Sequence, residues 1–281
     1  MASSSEPEAP RAISWAITSG KGGVGKSTIS VNLALALSSL GKRVLLIDAD
    51  LGLANVDILL GLSPEHNLQD LLRGDASAFD VIVEAPEGLS VLPSASGISE
   101  AEAWQPDDRE RLAEELGRLE RAFDLIVLDT GAGISSKVTD FVLSADRAFV
   151  VAVPEPTSIA DAYAMVKICH TSREDLPMGL IVNRARSSRE AHELQEKFNQ
   201  IVDRFLGTSI TRIGHVVEDQ SVERATRIQQ PFILADSGSD AARSIAKLAD
   251  GLIPMLDSES RTGPGLFERL AERVGDPIQA V

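Results

Sequence analysis

The 281-residue sequence contains one cysteine, Cys169, so no intrachain disulfide can form. Its four histidines are scattered and show no zinc-ligand spacing. These two features exclude a disulfide scaffold and a Cys/His metal module, and they point to a reducing, cytoplasmic compartment. Long apolar runs are also missing. Strongly apolar stretches such as Phe149 to Val153 have strand length, far short of the ~20 residues that a membrane-spanning helix requires. Met1 to Arg11 lacks the apolar core of a secretory signal and reads as a flexible leader. Basic residues are scarce beside acidic ones. There are 27 Lys plus Arg against 42 Asp plus Glu, a net charge of −15 that excludes coating of nucleic acid or anionic lipid by bulk charge. Residues 65–124 hold 15 acidic and 5 basic residues, two-thirds of the surplus. That segment, with the helix expected at Pro106 to Arg121, should face solvent or a basic protein partner.

With 43% hydrophobic and 25% charged residues, the composition is that of a folded globular protein. From Ala12 the chain alternates short apolar runs with longer amphipathic ones. Strands are expected at Ala12 to Thr18, Arg43 to Ile47, Leu89 to Leu92, Asp124 to Leu128, Arg147 to Val153, Met178 to Val182 and Ser209 to Ile213. Helices are expected at Lys26 to Leu40, Ser135 to Ser144, Thr157 to His170, Ser188 to Phe205 and Ser237 to Ile253. Strands apolar on both faces and separated by helices imply an α/β fold, a doubly wound, mostly parallel sheet with helices on both faces. One such domain is expected over residues 12–256, followed by a linker at 257–264 and an amphipathic helix at 265–275.

The strongest chemical signal is Gly20-Lys21-Gly22-Gly23-Val24-Gly25-Lys26-Ser27-Thr28, which fits G-x-x-x-x-G-K-[ST] between an expected strand and an expected helix. Its glycines let backbone N–H groups face phosphates, and the helix N-terminus adds positive potential. Lys26 should reach the β- and γ-phosphates and Ser27 should ligate Mg2+, so ATP and Mg2+ are the expected ligands. Asp48-Ala49-Asp50 places two carboxylates at the carboxyl end of a strand, where open α/β sheets bind ligands. One can support the metal shell and the other can orient water; a pair of turn-forming aspartates has the same appearance. Leu125-Ile126-Val127-Leu128-Asp129 is an apolar strand ending in aspartate, the Walker B pattern that holds Mg2+.

Lys21 adds a second positive charge that one nucleotide already served by Lys26 and Mg2+ does not require. This spacing resembles the deviant Walker A motif of the MinD/ParA family, a group of SIMIBI-type P-loop NTPases. Residues 48–62, 128–135 and 154–163 resemble the flagellar-number regulators FlhG and FleN within it. The resemblance implies a slow, switch-type ATPase that dimerises when ATP-bound, with Lys21 reaching the partner's nucleotide. It also implies a magnesium-side Asp48 and a water-activating Asp50. Glu155 would contact the partner's lysine or nucleotide, and Asn183 with the Val217-Glu218-Asp219 turn would hold the adenine. Implied partners are a flagellar GTPase of the signal-recognition-particle kind or a transcriptional regulator. The DQAxxLR-like helix with which such regulators stimulate that GTPase has no counterpart in Met1 to Arg11.

In the C-terminal segment Leu266, Phe267, Leu270 and Val274 share one face while Glu268, Arg269, Glu272 and Arg273 cancel in charge. Such a stripe serves either peripheral membrane binding, strengthened by dimerisation, or docking on the body of the protein. Two rival readings of the whole chain are a ParA-like ATPase that binds DNA and a metabolic ATP-dependent enzyme. For the first, Arg184, Arg186, Arg189 and Arg204 would supply the basic patch. For the second, nothing beyond the ATP site marks a substrate pocket.

Overall fold

The computed structural model describes residues 10–50, 55–66, 70–71, 74–94 and 115–275. Most of the leader, residues 51–54, the helix expected from Pro106 as far as residue 114, and the Val274 side chain lie outside the described residues.

Eight strands form one sheet: β1 (Ile13–Ser19), β2 (Val44–Ala49), β3 (Val83–Glu84), β4 (Ser90–Leu92), β5 (Leu125–Ala132), β6 (Arg147–Ala152), β7 (Met178–Ala185) and β8 (Thr211–Val217). Their order is β3-β4-β2-β5-β1-β6-β7-β8, and every pairing is parallel except β3 with β4. The helices are α1 (Lys26–Ser39), α2 (Val56–Leu60), α3 (Ser136–Ser144), α4 (Pro156–Ser172), α5 (Ser188–Leu206), α6 (Gln220–Arg227), α7 (Phe232–Ala235), α8 (Asp240–Ser258) and α9 (Leu266–Gly275). Residues 115–122 are helical as well.

Alternation along the central strands builds two cores. Ile13, Trp15 and Ile17 of β1 join α1 and α8 on one face, while Ala16 joins α3, α4 and α5 on the other. Helix α1 is buried almost all round, with an apolar run from Leu33 to Leu37 and buried Ser30 and Asn32 bonded to carbonyls one turn back.

Several elements differ from expectation, β8 and α6 among them. Strand β8 runs to Val217 instead of Ile213, because this edge strand is half-exposed and its Thr211, Arg212 and His215 carry no apolar signal. Helix α6 was not expected at all. Its sequence is largely polar, and it starts where the Asp219 carboxylate accepts the Ser221 N–H (2.8 Å).

The C-terminal helix is docked. Leu266, Phe267 and Leu270 are buried, and α9 packs against α3. Glu120 accepts the Phe267 N–H (3.0 Å) at the start of α9, and a Cβ on Gly265 would lie 1.8 Å from Glu120 Oε2, so only glycine permits this approach. Arg269 then donates to Ser144 O (2.6 Å) and Asp146 Oδ1 (3.0 Å).

Candidate functional site

Strand β1 feeds the glycine-rich loop into α1, as in other open α/β sheets where the carboxyl ends of strands carry the site. Gly25 caps α1 in the left-handed region (φ 86°), and no side chain closes the helix N-terminus. A Cβ there would sit 2.3 Å from Asn183 Nδ2, so the loop wraps tightly against β7. Asn183 donates to Val24 O (2.7 Å), which ties this adenine-side candidate to the phosphate loop itself. Gly20, Gly22 and Gly23 complete the turn, and Thr28 O accepts the Asn32 amide (2.8 Å) in the first turns of α1.

Lys26 is buried, with Nζ 2.8 Å from Asp129 Oδ1 and 3.3 Å from the Ser27 hydroxyl. Asp129 is fully buried on β5, opposite Ile17 of β1 and Asp48 of β2. Its Oδ1 also accepts the Ser30 hydroxyl (2.8 Å), whereas Oδ2 has no hydrogen-bond partner among the described residues. A buried carboxylate oxygen left open beside a hydroxyl and a phosphate loop is an all-oxygen donor set of the kind a Mg2+ shell uses, so Asp129 and Ser27 fit that ion.

The magnesium-side role expected for Asp48 meets a different geometry. Its Oδ1 accepts the Asp50 N–H (3.1 Å) and its Oδ2 accepts those of Asn55 (3.0 Å) and Val56 (3.2 Å). The carboxylate therefore organises the chain on either side of residues 51–54. Burial, with the neighbouring Asp129 charge, pushes the Asp48 pKa up to about 6 against these three donors. Asp50 is brought to the same edge: a Cβ on Gly131, two residues past Asp129, would lie 3.7 Å from Asp50 Oδ1. Its carbonyl accepts the Ser94 hydroxyl (3.0 Å).

Lys21 turns away from this cluster. Its Nζ lies 3.2 Å from Glu155 Oε2 and 3.2 Å from Thr157 Oγ1, at the start of α4. Glu155, expected to meet a partner's lysine or nucleotide, here holds the lysine of its own chain. Adjacent parallel strands β1 and β6 bring the two loops together. Val217 and Glu218 lie beside Asn183's strand, with the Glu218 N–H on Ala185 O (2.9 Å). Asp219 is occupied as a helix cap: besides Ser221 it accepts the N–H groups of Asp240 (3.0 Å) and Ala241 (3.3 Å).

Ser30 and Thr157 were not singled out from the sequence. Ser30 had only a weak signal, its place one helical turn after Lys26 on a helix that also carries Thr28 and Asn32; Thr157 had none beyond its place after Pro156. Of the arginines considered for DNA, Arg184 and Arg186 are exposed, while the other two have contacts on their own helix. Arg189 pairs with Glu193 (2.9 Å), and the Arg204 guanidinium lies over the Phe205 ring, 5.5 Å from its centroid.

A family model described as the CobQ/CobB/MinD/ParA nucleotide binding domain matches residues 15–232, most of the chain. The chain belongs to the MinD/ParA family. Within it, the chain is 39% identical over 234 residues to the antiactivator FleN of Pseudomonas aeruginosa, covering 83% of this chain and 84% of FleN. It is 32% identical over 272 residues to the flagellum site-determining protein YlxH of Helicobacter pylori, covering 92% and 90%. Among solved structures, the septum site-determining protein MinD of Pyrococcus horikoshii, complexed with Mg-ADP, superposes with a TM-score of 0.71 at 27% identity, over 87% of this chain and 97% of that one. This MinD/ParA chain is accordingly a MinD-like ATPase similar to flagellar regulators, on the parallel P-loop fold that its sequence implies.

Proposed function

We propose that this ATPase is a dimerisation switch that regulates the number or placement of flagella by binding a partner reversibly in its ATP state. The observation that carries the proposal is the division of labour between two lysines. Lys26 is buried in the phosphate site, whereas Lys21 sits at an exposed face, outside its own cradle.

In this scheme the loop N–H groups, the α1 N-terminus and Lys26 bind the ATP phosphates. Ser27 and Asp129 would hold Mg2+, which when bound would supply charge neutralisation to the phosphates. Asp50 orients the attacking water; the water oxygen bonds to the γ-phosphorus as the bond to the ADP oxygen breaks, and the water's proton passes to the released phosphate or to solvent. Two subunits meet at the Lys21 face. There Lys21 leaves Glu155 and Thr157 for the opposite γ-phosphate, and an exposed pair of this kind costs no more than ~1 kcal/mol to release. Hydrolysis then returns the monomer.

The similarity to FleN, an antiactivator, makes a transcriptional regulator the first partner to test, with a flagellar GTPase second. Docked α9 favours a protein partner over a lipid surface, since membrane binding requires Leu266, Phe267 and Leu270 to leave the body.

Light scattering with and without ATP tests the scheme. The natural chain should dimerise with ATP, Lys21→Ala should remain monomeric, and Asp50→Ala should accumulate as dimer. A monomeric Asp50→Ala at saturating ATP overturns it.

A further inference from the structure

Ser30 is fully buried in α1. Serine is a poorer helix former than alanine, and a buried hydroxyl without a partner is costly, so this position asks for an acceptor. Two are in range: the carbonyl of Lys26 one turn back (3.1 Å) and Asp129 Oδ1 (2.8 Å). A hydroxyl has one proton, and the charged acceptor at shorter range takes it.

Lys26 and Ser30 are four residues apart on one helix face, so both address the same carboxylate on β5. Their fates differ once a nucleotide binds. Lys26 is drawn toward the phosphates, and Asp129 then keeps a single side-chain donor among those described. Without it, a fully buried carboxylate would be free to rotate toward any remaining positive group. The open oxygen, Oδ2, would lose its fixed place.

Building on the ATPase reading above, we infer that Ser30 is a positioning residue for the metal. Its hydroxyl holds Asp129 Oδ1 in both the empty and the occupied site, and so keeps Oδ2 available to Mg2+. Lys26 and Ser30 thus divide one carboxylate oxygen between a donor that leaves and a donor that stays.

The test measures binding of a fluorescent ADP to the full chain in two arms, with EDTA and across a Mg2+ titration. In Ser30→Ala the Mg2+ concentration for half-saturation should rise about 10-fold, the usual scale for losing a residue that orients a metal ligand. The metal-free ADP affinity should fall much less. Ser30→Thr, which keeps the hydroxyl, should restore the natural Mg2+ requirement. Ser30→Cys keeps the size with a weaker donor and should fall between, which preserves the test if the alanine variant does not fold. An unchanged Mg2+ requirement in Ser30→Ala and Ser30→Cys overturns the assignment, as does an equal loss in both arms. A natural chain whose ADP affinity ignores Mg2+ overturns the ATPase reading itself, and this assignment with it.

Discussion

Asp124 and Asp146 stand at the amino end of the sheet, just before β5 and β6, and both are saturated with donors. Asp146 accepts Arg11 at both oxygens (2.8 Å each), Ser14 through N–H and hydroxyl, and Arg269. Burial alone would raise its pKa, yet Arg11 and Arg269 hold it below the usual carboxylate range. The Arg43 guanidinium likewise draws Asp124 down to about 2. At the carboxyl end the aspartates are treated in the opposite way. Asp48 is pushed up to about 6, and Asp129 keeps one oxygen open. The same residue type serves stability at one end, where charges are matched within the chain. At the other end Lys26 matches one Asp129 oxygen and leaves the second without a donor among the described residues.

The largest expected effect breaks the saturated end. Asp146→Ala strands Arg11 and Arg269 at a mostly buried corner and should lower the urea-derived unfolding free energy by about 3 kcal/mol. ADP affinity of the folded variant should stay within about twofold of the natural chain. A loss below ~1 kcal/mol would mean that the corner does not hold α9.

The pH dependence of stability sharpens the contrast. In metal-free protein Asp48 takes up its proton near pH 6 when folded but only near its ordinary 3.8 when unfolded. Its contribution therefore grows as pH falls from about 6 to 4, by about 2 kcal/mol. Unfolding curves across that window should show the rise in the natural chain and not in Asp48→Asn. Asp124 has the reverse sign. Its stabilisation is complete above pH 4 and is lost as pH falls toward 2. Arg43 is largely exposed, so the expected loss is only about 1 kcal/mol, and Arg43→Ala should remove it.

The central strands and the glycine loop were legible because each signal is local: buried parallel strands read as unbroken apolar runs, and a phosphate loop declares itself by spacing. Both Asp129 and Lys26 fall where that logic puts them. The far end of strand β8 and helix α6 were not legible, since an exposed edge strand and a polar helix of eight residues carry little hydrophobic period. Asp48 shows a further limit. Its place at a strand end was readable, but the three N–H groups that claim it come from residues 50, 55 and 56, whose turn only the folded chain reveals. The within-chain contact of Lys21 with Glu155 was hidden for a similar reason, because it follows from β1 and β6 being neighbours in the sheet.

The Arg11 side chain bonds the carbonyl of Gly263, a separation of 252 residues, at the corner where Asp146 and Arg269 also meet. During synthesis at roughly 5–20 residues per second, that closure waits for nearly the whole chain to emerge. The phosphate loop, β2, β5 and Asn183 all precede residue 184 and need no part of α9. The residues of the nucleotide cradle therefore emerge before α9, whose arrival covers the face of α3.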